Sequence, residues 1–358
     1  MEIFEKEYKK IKLSEISRVD SGTFFEINKY AKRLKHAVVP FFENVDCGMA
    51  VISNASFDKD FLVTTGDKLI YDLNNLGLMT RRYGHSYWDV EENLKIKLKY
   101  KGFFKPQDKY ILIGGMVNYW HWINNYLPRI FIAKEYFKEQ FKDVKLIFHD
   151  NIREIQLDQL RLIGVNDCQI VRSSVFQGVT FDKLYVPSFF DNFHYSPKVA
   201  ENYRYLFNKS LVNNNINQLV KSDNIYLSRQ RSRARRVSNQ QELDELLIKF
   251  NFKTIYAEEL TAIEQFSVFN NARIIISPHG AGLANLNFVK PNAKVFILEY
   301  KKKMTEMRTI ALANYLDPEV LICSQVDNGC SESRLFDLEV PCDELEEKLR
   351  SYIENGSL

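Results

Sequence analysis

The first third of the chain carries short runs in which apolar and polar residues alternate. Such runs occur at Met49–Ser53 and Leu94–Tyr100, and a further apolar run lies at Ala37–Phe42. Alternation with a period of two residues is typical of strands that bury one face of a sheet. The pattern therefore predicts an antiparallel, β-rich prefix over residues 36–110.

Beyond residue 110 the pattern changes to apolar strands that alternate with amphipathic helices. Tyr110–Ile113 is followed by a long aromatic helical segment to about Phe141 and then by the apolar run Val144–His149. Strand, helix and strand in succession indicate parallel pairing. The alternation continues to residue 211, so residues 1–211 are predicted to form a first lobe. Its further elements are a helix near Arg153–Leu162, strands near Gln169 and Lys183, and the amphipathic segment Ser196–Leu211.

A polar, asparagine-rich stretch at residues 212–222 predicts a linker between two lobes. Strands and helices alternate again after it, which predicts a doubly wound second lobe over residues 223–330. Residues 331–358 end in an amphipathic helix, Cys342–Ile353, which is predicted to cross back onto the first lobe. The second lobe's predicted elements are strands Asn224–Ser228, Lys253–Tyr256, Arg273–Ser277 and Lys294–Glu299, and helices Asn239–Phe250, Thr261–Asn270 and Ala281–Phe288.

The composition is that of a soluble globular protein with about two domains. The 358 residues are 45% hydrophobic and 27% charged, which excludes a disordered chain, and a net charge of +3 gives no basic field for nucleic acid. Five cysteines without a Cys-x-x-Cys pair favour reduced thiols and a cytoplasmic location. The sequence has no apolar signal region at Met1–Lys12 and no run of about 18 apolar residues, so neither secretion nor a membrane span is expected.

One turn between a strand and a helix has the composition of an anion site. The apolar run Ile274–Ser277 leads into Gly280 and Gly282, and a helix follows. Small residues let the backbone approach a ligand, and a helix N-terminus offers unpaired N–H groups with about half a positive charge. His279 and Asn285 add side-chain donors. The turn predicts a phosphate site, and a tight turn with a purely structural histidine is the alternative.

Several arginines follow the predicted strand Asn224–Ser228. Their guanidinium forks match phosphate oxygens. Both loops follow parallel strands, so they lie at the same edge of one sheet and predict a nucleotide diphosphate site. A solvated basic loop is one alternative, and an RNA-binding tract is another, although such a tract requires stacking aromatic residues beside the arginines. The arginines are Arg229, Arg231, Arg233, Arg235 and Arg236.

Three segments, taken together and in this order, resemble glycosyltransferase family 61. They are Asn118–Arg129, the arginine-rich loop ending in Arg235–Asn239, and the turn Ser277–Asn285 with the strand that ends at Glu299. The resemblance implies an α/β protein of GT-B architecture, with two Rossmann-like lobes behind the antiparallel β-rich prefix. It also implies inverting transfer of a sugar with no metal and no other cofactor.

The resemblance assigns roles to the two lobes and to the anion site. Residues 1–211 become the acceptor-side lobe, and residues 223–330 become the lobe that holds the sugar nucleotide. In the family, the arginine-rich loop and the glycine-containing turn surround the nucleotide diphosphate of the donor. The corresponding positions in this chain are Arg229, Arg236, His279, Gly280, Ala281 and Gly282.

The catalytic base is expected near the first of the three segments. His121 and Asn125 lie three and seven residues after Asn118, so the three side chains share one face of the predicted helix. A neutral imidazole suits removal of a proton from an acceptor hydroxyl, while a core histidine among aromatic residues is the alternative. Family members commonly have an acidic residue at the position of Asn125. Because of this departure, the catalytic base is either His121 alone or a carboxylate such as Asp150, which follows the next strand.

Two further acids stand at predicted strand ends. Glu258 follows the strand Lys253–Tyr256, and Glu299 ends the strand Lys294–Glu299, where either would reach the ribose or the base of a nucleotide. Solvated side chains are the alternative for both. No Asp-x-Asp motif and no histidine set with metal-ligand spacing stands at this edge, so no metal site is predicted.

The sequence is therefore interpreted as a cytoplasmic inverting glycosyltransferase with a UDP-sugar donor and a glycan acceptor. By analogy with the family, the acceptor is an oligosaccharide, polysaccharide or glycolipid of a bacterial surface polymer, such as capsule or lipopolysaccharide, built at the inner membrane face with possible peripheral attachment. A CMP-sugar or phosphosugar transferase is one alternative. A nucleotide-binding scaffold without turnover is another.

Overall fold

The computed structural model describes residues 16–17, 49–57, 61, 63–65, 68–69, 102–104, 108–176, 178–187, 197–213, 223–300 and 306–354. These residues form two compact units, and the division falls between His194 and Tyr195. Each unit is a mixed α/β structure built around a sheet with parallel strands. The predicted strands Ala37–Phe42 and Leu94–Tyr100 lie outside the described residues.

The first unit contains one sheet in which an antiparallel part joins a parallel part. The strand order is β4-β3-β2-β9-β6-β7-β8. Strands β2, β3 and β4 pair antiparallel, as the β-rich prefix predicted, whereas β9, β6, β7 and β8 pair parallel. All five residues of β6 are buried, which is typical of a parallel strand covered on both faces. The strands are β1 (Ile16–Ser17), β2 (Met49–Phe57), β3 (Val63–Thr65), β4 (Lys68–Leu69), β5 (Gly102–Phe104), β6 (Tyr110–Gly114), β7 (Lys145–Phe148), β8 (Ile170–Arg172) and β9 (Val179–Pro187).

The long aromatic helix predicted after β6 is broken into several short segments. Pro128 interrupts it, because proline has no N–H to donate to the preceding turn. Before Pro128 the chain forms a π-turn, in which the Leu127 N–H donates to the Trp122 carbonyl at 2.9 Å. The segments are α1 (Tyr119–His121), a π-helical turn (Trp122–Tyr126), α2 (Arg129–Phe137) and a 3₁₀ turn (Lys138–Asp143), and α3 (Glu154–Leu162) follows β7.

The second unit is a doubly wound parallel sheet, as predicted. Its strand order is β11-β10-β12-β13-β14 with every pair parallel, so the chain reverses its direction of winding between β10 and β12. Its elements are α4 (Pro197–Asn213), β10 (Asn224–Leu227), α5 (Gln240–Lys249), β11 (Lys253–Ile255), α6 (Ala262–Asn271), β12 (Ile274–Pro278), a 3₁₀ helix (Ala281–Phe288), β13 (Lys294–Glu299), α7 (Glu306–Ala313), β14 (Asp317–Ile322), β15 (Ser324–Val326), β16 (Asp337–Glu339) and α8 (Cys342–Glu354).

Helix α4 belongs to the second unit, so the division lies before this helix and not at the predicted linker after it. The Phe207 ring packs against Phe266 at 4.9 Å and against Phe288 at 5.1 Å between ring centroids. Arg204 also donates a hydrogen bond to the Val289 carbonyl. The amphipathic pattern predicts the helix but not the sheet against which its apolar face packs.

Helix α8 also packs in the second unit, whereas the sequence predicted that it crosses back onto the first lobe. Leu345 and Leu349 are fully buried in a core that includes Leu246 and Leu247 of α5. These two leucines lie four residues apart and form one apolar stripe, which the matching stripe on α5 covers. Burial of apolar surface against α5 therefore determines where α8 packs.

None of the described helices has both the length and the apolar composition that a membrane crossing requires. A crossing takes about 20 predominantly apolar residues. The 17 residues of α4 include Lys198, Glu201, Arg204 and Lys209.

Replacing Phe207 by alanine should destabilise the second unit by about 3 to 5 kcal/mol, because this ring is fully buried between two others. Chemical denaturation would measure the free energy of unfolding. Tyr205→Ala on the same helix is the matched control, since Tyr205 is 64% exposed. Equal effects of the two substitutions would contradict the packing of α4 against this sheet.

Candidate functional site

The two predicted anion loops meet at the point where the second sheet reverses its winding. Arg229 follows β10, and His279 and Gly280 follow β12, and these two strands pair directly. Open parallel sheets bind ligands outside the carboxyl ends of their strands at such a reversal. We name residues 229–239 the arginine loop and residues 279–282 the glycine turn.

The Arg229 side chain crosses from the arginine loop to the glycine turn. Its Nη2 donates to the Ala234 carbonyl at 3.0 Å, and its buried Nε has no hydrogen-bond partner in the part of the chain that the structure describes. A Cβ atom placed on Gly280 would lie 2.1 Å from Nη1. Gly280 has extended backbone that any residue can adopt, with a φ of 178°. Glycine is therefore required here for close approach of the guanidinium and not for its backbone conformation.

Arg229 is a charged group held partly out of water. Burial, with a further contribution from the neighbouring charge of Arg235, lowers its pKa to about 10, while Glu258 acts in the opposite direction. At neutral pH the guanidinium is still fully protonated. A cation that has lost part of its hydration and lies next to a second cation favours an anionic ligand.

His279 is held by Glu299, a contact that the sequence did not predict. The Nδ1 atom of His279 lies within hydrogen-bonding distance of Oε1 of Glu299, whose side chain is only 4% exposed. A carboxylate only accepts, so Nδ1 carries the hydrogen and the ring is fixed in orientation. Glu299 was predicted to contact ribose or to be solvated. In the structure it is instead the buried partner of His279.

The rest of the glycine turn is arranged for close packing. The helix after it, Ala281–Phe288, is a 3₁₀ helix that begins at Ala281, directly after Gly280. A Cβ atom on Gly282 would lie 2.9 Å from the side chain of Leu227, so this glycine brings the helix close to β10. The predicted donor Asn285 is fully buried, and its amide donates to Gln265 of α6 at 3.1 Å. Its amide therefore joins two helices of the core.

The other predicted residues of this edge differ in their surroundings. Arg236 forms an ion pair with Asp337 through its Nε and Nη2 atoms, and its side chain is 43% exposed. Glu258 is exposed in a 3₁₀ turn after β11. Arg231 pairs with Glu259 and lies 3.9 Å from the ring centroid of Tyr256. At this edge the structure therefore places Arg229 against Gly280 and Glu299 against His279.

In the first unit, Asn118 differs in exposure from the other two residues of the predicted catalytic face, although its side-chain oxygen accepts the His121 N–H at 3.4 Å. Asn118 caps α1 and is exposed, and its side-chain oxygen accepts the Trp120 N–H at 3.0 Å. His121 and Asn125 are fully buried, and Nδ1 of His121 lies 2.7 Å from Oδ1 of Asn125. Because the amide oxygen accepts, a neutral His121 ring carries its hydrogen on Nδ1 and its lone pair on Nε2.

Asp150, the alternative base, is exposed and already engaged. Its carboxylate accepts the Ser174 N–H at 2.9 Å. Partial burial raises the pKa of Asp150, but hydrogen bonds from Ser174 and Ser173 and the charge of Arg172 more than offset this, so the pKa lies below its ordinary value. A carboxylate with a lowered pKa is a weak proton acceptor near neutral pH.

The neighbouring His149 is buried against Gly115. A Cβ atom on Gly115 would lie 2.4 Å from Cδ2 of the ring, and no described residue forms a hydrogen bond with the buried Nε2. Burial lowers the pKa of His149 to about 4, although a hydrogen bond from the ring to Gln156 opposes the shift. The ring is therefore neutral at physiological pH.

This lowered pKa predicts a loss of stability in mild acid. Between the folded pKa of about 4 and the ordinary value of about 6.5, the unfolded chain binds a proton that the folded chain excludes. His149 should therefore contribute a loss of about 2 kcal/mol between pH 7.5 and pH 5. Denaturation at both pH values would measure it, and His149→Gln should show a smaller loss. An equal loss in the variant would contradict the assignment.

The described residues contain no group of three or more histidine, cysteine, aspartate or glutamate side chains placed to hold a metal ion. Donors at the predicted site are instead a guanidinium, an imidazole and backbone N–H groups.

Comparison with known families matches one model, described as Glycosyltransferase 61, over residues 119–296. Comparison with curated proteins gives no match. The matched segment includes His121, Arg229 and Gly280, and it ends before Glu299 and Asp337. The residues that hold His279 and Arg236 in place therefore lie beyond it.

Proposed function

Because the chain belongs to glycosyltransferase family 61 and is a sugar-transferring enzyme, we propose that its donor is a nucleotide diphosphate sugar with uridine as the nucleoside. The observation that carries this proposal is the position of Arg229, whose guanidinium lies against Gly280 at the reversal point of a parallel sheet. Such a cation, beside a turn that admits close backbone approach, suits the two phosphates of UDP.

We propose that the leaving diphosphate is stabilised by protein groups and not by a metal ion. When the bond between the anomeric carbon and the diphosphate oxygen breaks, negative charge develops on that oxygen. Arg229, His279 and the first N–H groups of the helix that begins at Ala281 are fixed before the reaction starts. Fixed donors of this kind stabilise developing charge without reorganisation.

His121 is our candidate for the base in this reaction. The acceptor hydroxyl oxygen forms the new bond to the anomeric carbon from the face opposite the leaving group, so the configuration inverts. The hydroxyl proton passes to Nε2 of His121, whose other nitrogen is held by Asn125. UDP leaves with the electron pair of the broken bond, and the histidine gains the proton.

The wider context is proposed from the family resemblance alone. We propose a GT-B architecture and a glycan or glycolipid acceptor in bacterial surface polysaccharide synthesis, such as capsule or lipopolysaccharide. The proposed location is the cytoplasmic side of the inner membrane, with peripheral attachment.

Incubation of the protein with a panel of nucleotide sugars, followed by measurement of released nucleotide, tests the proposal. Release of UDP that persists in excess EDTA supports it. Release of CMP would favour the CMP-sugar alternative, and binding of nucleotide without turnover on any sugar would favour the scaffold. Loss of activity in EDTA that manganese restores would contradict the metal-independent mechanism.

A further inference from the structure

Asp337, the first residue of β16, lies outside the matched family segment and holds the arginine loop through several hydrogen bonds. Its Oδ1 accepts a hydrogen bond from the backbone N–H of Arg236 at 2.9 Å. Its Oδ2 accepts hydrogen bonds from Nε and Nη2 of the Arg236 side chain at 3.1 and 2.9 Å. Asn328 donates a further bond to Oδ1 at 2.9 Å. The Asp337 side chain is 10% exposed. One nearly buried carboxylate therefore fixes both the backbone and the side chain of Arg236.

Backbone pairing extends this contact along the loop. The Arg235 N–H donates to the Leu335 carbonyl at 3.3 Å, the Leu338 N–H donates to the Arg236 carbonyl at 2.8 Å, and the Ser238 N–H donates to the Leu338 carbonyl at 2.8 Å. Val237 and Leu338 form a parallel bridge. The second half of the arginine loop is thus attached to a segment about one hundred residues later in the chain.

The loop needs such an attachment because its conformation is intrinsically unfavourable. Arg235 has a φ of 57°, in the left-handed region that residues other than glycine rarely adopt. The charge of Arg235 also acts on Arg229 as a like charge and lowers its pKa. Two cations held close together repel each other, so the surrounding structure must hold them in place.

The attached part of the loop is directly connected to Arg229. Nη2 of Arg229 donates to the Ala234 carbonyl, and Ala234 immediately precedes the left-handed Arg235. A change in the backbone at residues 234–236 would therefore move the acceptor that holds the guanidinium against Gly280. Asp337 is linked to Arg229 through Arg236 and the loop backbone, and its charge also raises the pKa of Arg229 directly, as a smaller contribution.

We propose that Asp337 is a positioning residue for the anion site, and that its ion pair with Arg236 holds the arginine loop in the conformation that places Arg229 on the glycine turn. This inference rests on the proposed function, in which Arg229 binds the donor diphosphate. It assigns Arg236 a structural task, in contrast to the direct phosphate contact that the family resemblance implies. The two roles make opposite predictions for the removal of Asp337.

The test is calorimetric titration of the full chain with UDP, well below the melting temperature. Asp337→Ala and Arg236→Ala should each weaken UDP affinity by about 10-fold or more, and the double variant should be no weaker than the weaker single variant, because the pair acts as one unit. Asp337→Asn should recover part of the affinity, since its amide oxygen still accepts the Arg236 N–H. Unchanged binding by Asp337→Ala would overturn the proposal. Tighter binding would also overturn it and would indicate that Asp337 competes with phosphate for Arg236.

Asp317→Asn is the matched control, because Asp317 pairs with Lys294 at the start of β13 and β14, the opposite end of the same sheet. This variant should bind UDP as the wild type does. An equal loss in Asp317→Asn would show that any lost ion pair has this effect.

Hydrogen exchange of the protein without nucleotide separates this inference from the proposed function. Asp337→Ala should accelerate exchange of the Arg235, Arg236 and Ser238 amides, with no comparable change in β12 or β13. Unchanged exchange at these amides would overturn the role of Asp337 whatever the ligand is. If exchange accelerates but the wild type binds no UDP, the loop attachment stands and the proposed donor is wrong.

Discussion

Replacing Arg229 by alanine is expected to weaken UDP binding by about 10- to 150-fold. This range corresponds to the loss of one charge-assisted hydrogen-bonding group, about 1.5 to 3 kcal/mol. The upper part of the range is the better expectation, because Arg229 is partly buried and its Nε has no hydrogen-bond partner among the described residues. Calorimetric titration of the wild type and the variant with UDP would measure the change.

Gly280→Ala gives an independent measure of the same contact without removing a charge. The added methyl group would lie 2.1 Å from Nη1 of Arg229 and would displace the end of a flexible side chain, not the backbone. The variant should therefore fold normally and lose UDP affinity. In the Arg229→Ala background the same substitution should have little further effect, because both changes act on one side chain.

Two outcomes would contradict this assignment. Arg229→Ala with wild-type UDP affinity would show that the guanidinium serves another ligand. Equal losses from Gly280→Ala in the presence and absence of Arg229 would show that the glycine contributes through the turn itself.

The strands and helices of the second unit follow from the sequence because each element has a strong local pattern. The apolar run Ile274–Ser277 and its neighbours alternate with amphipathic helices, and this order alone predicts a doubly wound sheet. The order also locates the candidate site. Once β10 and β12 are neighbours, the loops that follow them share the carboxyl edge, so Arg229 and His279 are predictable without coordinates.

Other features depend on contacts that no local pattern encodes. Pro128 predicts the break of the aromatic helix, but not the π-turn before it, which changes which side chains share a face with His121. The placement of α4 and α8 depends on which apolar surface is nearest in space. Both helices are readable from their amphipathic pattern, whereas their partners, Phe266 and Leu246, lie far away in the sequence.

The supporting residues of the site were missed for the same reason. Glu299 stands at a strand end like any exposed acid, and only its burial beside His279 reveals its task. Asp337 lies in a short edge strand with no motif around it. Arginine and glycine at a loop are visible in a sequence, but the carboxylates that hold them are recognised only from distances.

Replacing His121 is expected to lower turnover by at least about 100-fold while UDP affinity changes little. A positioned general base contributes about 10²- to 10⁴-fold, because an acceptor hydroxyl is a poor nucleophile until its proton is removed. UDP affinity should be preserved because Arg229 lies in the second unit and His121 in the first. Released UDP and titration with UDP would measure the two quantities separately.

The choice of substitution matters because His121 is fully buried. His121→Ala leaves a cavity and removes the ring from Asn125, so a loss of turnover could reflect unfolding of the first unit. His121→Gln retains a polar side chain of similar length that can still bond Asn125, but it has no group that titrates. A large loss of turnover in His121→Gln, with an unchanged melting temperature, would identify the imidazole as the base.

Wild-type turnover in His121→Gln would make His121 a core residue that only orders the π-turn. Asp150 would then be the next residue to replace, yet its carboxylate already accepts the Ser174 N–H and has a lowered pKa. A group that holds its proton so weakly removes one from a hydroxyl inefficiently. A small effect of Asp150→Asn as well would therefore show that neither His121 nor Asp150 is the base. The acceptor itself or a bound water would then carry the proton.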